Sequence, residues 1–241
     1  MTKERIAKFM ASTGLCSRRD AEKLILDGKI SVNGEILKTP AFLVDENDVI
    51  LNDGKPLNEK PKPRLWVYYK PRGLVVSHKD PEGRATVFQN LPSFMPRVIS
   101  IGRLDLDSEG LLLLTNDGGL SRHLEAPSTG WKRKYKVRIF GKPTQETLDT
   151  LLKGITIEGV HYKSIEAVLE RQQGSNAWIL VTLTEGKNRE IRKVMEYFGW
   201  TVNRLLRLSF GPFELKDMNP GDTTEIPPRV LKNQIGSFFS K

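Results

Sequence analysis

The sequence predicts an α+β chain divided into a small N-terminal unit and a larger second one. Three observations carry the prediction. Apolar residues recur at helical spacing over the first 28 residues and are followed by two hairpin signals. A Pro- and Lys-rich stretch with little to bury follows near residue 58. Beyond it, strand-like alternation is mixed with helical patterns.

In "TKERIAKFMAS", Ile6, Phe9 and Met10 fall at helical spacing, with Lys3, Arg5 and Lys8 on other faces. "SRRDAEKLILDGKI" opens with Ser17 as N-cap and Asp20 three residues on, a capping-box pattern. Ala21, Leu24 and Ile25 form its apolar face, and Gly28 sits where the helix should stop. "ISVNGEIL" and "DVILNDGKPL" set Asn33-Gly34 and Asp53-Gly54 between strand-like runs, so two hairpins are expected. Residues 1–58 therefore read as two short helices and a small sheet, and residues 59–64 as a linker.

The second unit spans residues 65–229, with 230–241 as a C-terminal tail. "LWVYYKPRG" alternates and then breaks at Lys70-Pro71-Arg72-Gly73. "GLLLLT" is a buried strand closed by a turn at "NDGG". "KYKVRIF" places Tyr135, Val137 and Ile139 on one strand face. "TQETLDTLLKG" is a helix capped at Thr144 and stopped at Gly154, and "AWILVTLTEG" is a strand. In "NREIRKVMEYFGW", Ile191, Val194, Met195 and Phe198 recur at i, i+3, i+4 and i+7 before Gly199.

The 241 residues are 38% hydrophobic and 28% charged, enough for a packed core and against global disorder. A net charge of +9 favours a polyanionic partner, most simply nucleic acid. The single cysteine, Cys16, excludes an intrachain disulfide and a Cys-rich zinc site, and His78, His123 and His161 show no ligand spacing. No run reaches the length of a membrane span and no signal-peptide core opens the chain, so a cytoplasmic setting is expected.

Two constellations carry chemistry. In "GRLDLDSEGLLLLTNDG", Asp105, Asp107 and Glu109 fall at every second position before a leucine run. The segment opens like a calcium loop, but its ninth position is leucine and its twelfth is Asn116, so the coordination count fails. A magnesium pair at Asp105 and Asp107, a catalytic carboxylate and a turn whose Asp side chains cap the backbone all stay open on the residues alone. The other constellation is basic. Arg5, Lys8, Arg18, Arg19 and Lys23, with Lys3 and Lys29, give the two N-terminal helices faces that can track phosphates. "WKRKYKVR" surrounds Tyr135 with cations, and "EGKNREIRK" adds Lys187, Arg189, Arg192 and Lys193, a basic–aromatic mixture suited to RNA. No P-loop, GxGxxG or Ser-His-Asp arrangement is visible.

These residues resemble a known family. "GRLDLDSEGLLLLTNDG", "YKPRG", "KYKV", "LTEGKNREIRKVMEYFGW" and "RLLRLSFGPFEL" resemble, in order, the motifs of the RsuA/RluB/RluE/RluF family of ribosomal RNA pseudouridine synthases, closest to its RluB-like branch. Residues 1–58 are similar to an S4 (αL-like) RNA-binding domain. The resemblance covers almost the whole chain. It implies a catalytic domain built on a mixed, mainly antiparallel sheet with flanking helices. It also implies a reaction without metal or organic cofactor, in which a flipped uridine in RNA becomes pseudouridine. Asp105 matches the essential aspartate, as nucleophile or as proton acceptor. Tyr135 matches the tyrosine that stacks on the target base, and Arg192 the basic partner of the aspartate. Arg103 matches the arginine that fills the space left by the flipped base, and Leu183 packs against that base. Lys187, Arg189, Lys70 and Arg72 are expected as RNA contacts. The implied substrate is 23S ribosomal RNA near the peptidyl-transferase centre, acted on by a monomer. A 16S ribosomal RNA substrate, a non-catalytic RNA-binding or ribosome-assembly factor and a metal-dependent RNA-processing enzyme are the alternatives.

Overall fold

The computed structural model describes residues 3–239. The first unit runs β1 (Glu4–Arg5), α1 (Ile6–Ser12), α2 (Arg18–Leu26), β2 (Ile30–Val32), β3 (Glu35–Ile36), β4 (Leu43–Val44), β5 (Ile50–Asn52) and β6 (Lys55–Pro56). Strands β3, β2, β5 and β6 form an antiparallel sheet in that order. Both hairpins turn where expected. Asn33 and Gly34 have φ of 52° and 91°, and Asp53 and Gly54 have 47° and 77°. Positive φ at both central residues matches the right-handed twist of the flanking strands. At the start of α2, Ser17 Oγ accepts from the Asp20 amide at 3.1 Å and donates to its carboxylate at 2.7 Å. The cap is thus made, but Asp20 holds the Ser17 hydroxyl rather than its amide. Ile6, Met10, Ala21, Ile25, Ile30 and Val44 close a core of their own.

The second unit contains β7 (Leu65–Lys70), β8 (Ile99–Ile101), β9 (Glu109–Thr115), α3 (Gly118–Glu125), β10 (Arg133–Phe140), α4 (Gln145–Asp149), β11 (Ile155–Ile157) and β12 (Val160–Tyr162). It continues with β13 (Glu166–Gln173), β14 (Asn176–Leu183), α5 (Glu190–Tyr197), β15 (Thr201–Phe210), β16 (Phe213–Glu214), β17 (Thr223–Glu225), α6 (Pro228–Gln234) and α7 (Gly236–Phe239). The main sheet runs β13-β14-β10-β15-β9-β7-β17, with β8 paired to β9 and β16 to β15. Only the β9–β15 contact is parallel, so the sheet is mixed and mainly antiparallel as the resemblance implies.

Four expectations need correction. All six residues of β7 are buried, because the strand lies between β9 and β17 with a core on each side. Trp66 and Tyr68 join one apolar cluster, while Leu65, Val67 and Tyr69 join the other. Alternation here divides two cores rather than core from solvent. The turn at "NDGG" is the start of α3: Asp117 Oδ1 accepts from the amides of Gly119 and Leu120, each at 2.7 Å. Two glycines of poor helix propensity hid that helix behind its cap. The helix from Thr144 tightens into a 3₁₀ turn at Thr150–Lys153 before Gly154. Finally, the chain after residue 229 is not a free tail. α6 crosses that boundary, and Leu231 and Ile235 are buried in the second cluster. Residues 240–241, expected in that tail, lie outside the described residues.

Candidate active site

The loop between β8 and β9 carries Arg103, Asp105 and Asp107, and buried charges hold it. Lys70 ends β7 fully buried. Its ammonium donates to the carbonyls of Pro71 and Ser108, each at 2.9 Å, and to that of Leu106 at 3.5 Å. Burial pulls this ammonium down to about 8, against the opposing pull of Asp105, Asp107 and Glu109. The expectation that Lys70 contacts RNA is therefore wrong: its charge is spent on loop carbonyls. Arg72, by contrast, is exposed. Glu109 is buried at the head of β9, with Arg204 Nε at 2.6 Å and the Tyr69 hydroxyl at 3.1 Å. Burial pushes its carboxyl up, but Arg204 and Tyr69 outweigh it and hold the group below the usual carboxylate range.

Asp105 faces the N-terminal turn of α5. Arg189 NH1 lies 3.7 Å and Arg192 Nε 4.0 Å from Asp105 Oδ2. Arg192 is the better fixed of the two. It donates to the carbonyls of Val202 at 3.2 Å and Asp107 at 3.3 Å, so it ties α5 to the Asp105 loop. Its Nε is buried and has no hydrogen-bond partner among the described residues. Arg189 adopts the left-handed conformation at the N-cap of α5, with φ of 50°.

A cleft of about 630 Å³ brings together Arg103, Asp105, Tyr135, Leu183, Lys187 and Arg189, while Arg192 stands behind Asp105. Tyr135 and Leu183 are buried in its apolar wall, and Asp105 is partly open to solvent. The Lys187 ammonium pairs with Glu185 at 3.0 Å and donates to the His161 carbonyl. A second cleft of about 1100 Å³ lies between the two units, where Lys8 and Arg18 meet Lys60, Lys62, Arg97 and Arg122. Arg5, Arg19 and Lys23 are exposed outside it. Among the described residues, no three His, Cys, Asp or Glu side chains converge on a metal position.

Sequence reasoning missed two groups in or beside the first cleft, Arg207 and Glu190, and had a third, Arg133, only as one of the cations around Tyr135. Arg133 donates to the carbonyls of Trp131 at 3.1 Å and Thr184 at 2.9 Å, and burial lowers its guanidinium below its ordinary range. Arg207 is buried on β15. Glu190 is buried at the start of α5, where its carboxylate accepts from the Lys187 amide at 2.9 Å. Burial, with Glu185 nearby, pushes Glu190 up to about 7 even against that hydrogen bond.

A carboxylate fixed between two guanidiniums, at the edge of an apolar wall with an aromatic ring, can attack or deprotonate a sugar whose base enters the cleft. Residues 64–197 match the model of the RNA pseudouridylate synthase family, and residues 4–50 match the S4 domain. The chain belongs to the RNA pseudouridylate synthase family. This synthase is 49% identical over 229 residues to an RNA pseudouridine synthase of Rickettsia felis, covering 95% of this chain and 99% of the relative. It is 39% identical over 222 residues to ribosomal large subunit pseudouridine synthase B of Vibrio cholerae, covering 90% of this chain and 69% of the relative. A crystal structure of a pseudouridylate synthase superposes with a TM-score of 0.67 at 25% identity, over 96% of this chain and 99% of that one. The synthase is thus an RNA-binding isomerase with an S4 unit at its N-terminus. None of its described helices is long and apolar enough to cross a membrane.

Proposed function

We propose that this synthase isomerises a uridine of 23S ribosomal RNA near the peptidyl-transferase centre, acting as a monomer in the cytoplasm. The observation that carries the site is Asp105, held at the cleft between Arg189 and Arg192 with Tyr135 in the adjoining wall. The large-subunit relative in Vibrio cholerae, similar over 90% of this chain, supports the choice of RNA.

In this reading the target nucleotide leaves its stack and its base lies against Tyr135 and Leu183. Arg103, exposed on the same loop as Asp105, occupies the vacated space in the RNA. The two guanidiniums, 3.7 and 4.0 Å from the Asp105 carboxylate, aim it at the ribose. The carboxylate then acts at the sugar, as nucleophile or as proton acceptor, while the glycosidic bond breaks. Lys187, Arg72 and the basic faces of α1 and α2 hold phosphates. The test is to map pseudouridines in the 23S and 16S ribosomal RNA of a strain lacking the gene. Loss of one 23S position, restored by the wild-type gene and not by Asp105→Asn, is the expected result. Loss confined to 16S RNA would overturn the substrate assignment.

A further inference from the structure

We infer that Arg207 is the cation that takes up the negative charge of the departing uracil base. The inference rests on the cleft being the site of uridine isomerisation. Arg207 on β15 lies across from Tyr135 on β10 in the antiparallel register, so both side chains leave the sheet on the same face. It lines the cleft yet is only 2% exposed. Its Nε donates to the Leu111 carbonyl at 2.7 Å, and one terminal nitrogen is buried without a hydrogen-bond partner among the described residues. No carboxylate of the described residues forms an ion pair with it.

A second, partly buried cation reinforces the field. The Arg133 guanidinium lies 4.4 Å from the centre of the Phe210 ring, and that of Arg207 lies 5.5 Å from the same centre. Among the described residues, Arg133 likewise donates hydrogen bonds only to carbonyls. Burying uncompensated cations is costly, and removing their counter-charge is what makes such a site demand an anion. Depth decides which anion. The exposed cation Lys187 suits a phosphate at the mouth of the cleft. The group that reaches the level of Tyr135 is the base.

Uracil is neutral before and after the reaction. When the C1′–N1 bond breaks, its electron pair leaves with the base and spreads over N1 and the carbonyl oxygens. Asp105 meets the deficiency at C1′, by bonding to it or by taking a proton from C2′. Either way the base carries the same pair. Formation of the C5–C1′ bond, as the Asp105–C1′ bond breaks or as Asp105 returns its proton to C2′, followed by loss of the C5 proton and gain of one at N1, returns the base to neutrality. The charge therefore exists only between the two bond changes, where a preorganised cation lowers the barrier without tightening substrate binding.

The experiment compares Arg207→Gln and Arg207→Lys with the wild type in single turnovers at saturating RNA, alongside Kd and its salt slope. The Gln variant should lose about 10²-fold in rate, the scale of one lost charge-stabilising group, with Kd and salt slope unchanged. The Lys variant should recover part of the rate. An unchanged rate would overturn the proposal. So would a weaker Kd with a slope shallower by roughly 0.7 to 0.9, the signature of a phosphate contact. If the variants do not fold, calorimetry on the wild type decides. 5-Nitrouracil, an anion in mildly alkaline buffer, should bind more than about tenfold tighter than neutral uracil, a difference of ~1.4 kcal/mol. Equal, weaker or undetectable binding of the anion overturns the proposal. An inactive wild type would instead overturn the reading of the cleft, which the binding comparison does not use.

Discussion

Asp105 gains its setting from Arg192 and Arg189 more than from its own neighbours in sequence. Arg192 has two tasks that substitution can separate: charge toward Asp105 at 4.0 Å, and donation to the carbonyls of Val202 and Asp107. Arg192→Ala should lower the single-turnover rate strongly. Arg192→Lys should recover only part, because the charge survives and the planar fork does not. Equal impairment in Ala and Lys would mean that the fork, not the charge, is what matters. Glu190 gives a pH test. Its folded pKa, about 7, lies above its ordinary 4.5. The protonated form is thus favoured by folding, and that increment is full below about 4.5 and lost as pH rises through about 7. Glu190→Gln should therefore gain stability relative to the wild type by about 1–3 kcal/mol between pH 5 and pH 8, read by denaturant unfolding. A pH-independent difference would mean that Glu190 is ionised throughout. At this scale motifs led from the sequence to Asp105, Tyr135 and Arg192, and the structure places Asp105 and Tyr135 in one cleft with Arg192 beside Asp105. The sequence was not legible where burial decides the role. Nothing in "YKPRG" tells that Lys70 is the buried cation and Arg72 the exposed one, and nothing periodic marks Arg207 or Glu190.

At the level of elements, the site depends on the close approach of β9 and β15. Gly110, one residue after Glu109, has φ of 103°. A Cβ there would sit 2.4 Å from the Arg207 carbonyl oxygen and 2.8 Å from its amide nitrogen. Backbone on both sides cannot yield, so Gly110→Ala should destabilise the protein by about 2–4 kcal/mol and displace both Asp105 and Arg207. Thermal unfolding reads the first effect. A variant as stable as the wild type would mean that the two strands slide apart freely. Elements with strong local signals were readable in advance: the I′-type hairpins, the Ser17 and Thr144 caps, and the leucine strand. Elements whose reason is tertiary were not. α6 carries no periodic signal that stood out, yet Leu231 and Ile235 complete the second core. The glycines that open α3 argue against a helix that Asp117 and the packing of Leu120 and Leu124 secure.

For the molecule as a whole, the separate N-terminal core and the net charge of +9 describe a docking unit attached to a catalytic one. The end of the linker is pinned to the second unit: Asn116 binds the Lys62 carbonyl and the Arg64 amide, and Arg64 pairs with Glu225 at 2.5 Å. A chain starting at Glu59 should keep those contacts, fold, bind RNA more weakly and show a shallower salt slope, by roughly 0.7 to 0.9 per lost phosphate contact. An unchanged slope would mean that α1 and α2 do not touch phosphates. The central claim is that Asp105 drives uridine isomerisation without a metal, and one measurement addresses it most directly. Tritium release from ribosomal RNA labelled at uridine C5 should proceed with the wild type, be insensitive to EDTA, and vanish in Asp105→Asn while RNA affinity changes by less than about tenfold, or ~1.4 kcal/mol. Release by a folded Asp105→Asn variant, or release abolished by EDTA, would contradict the account.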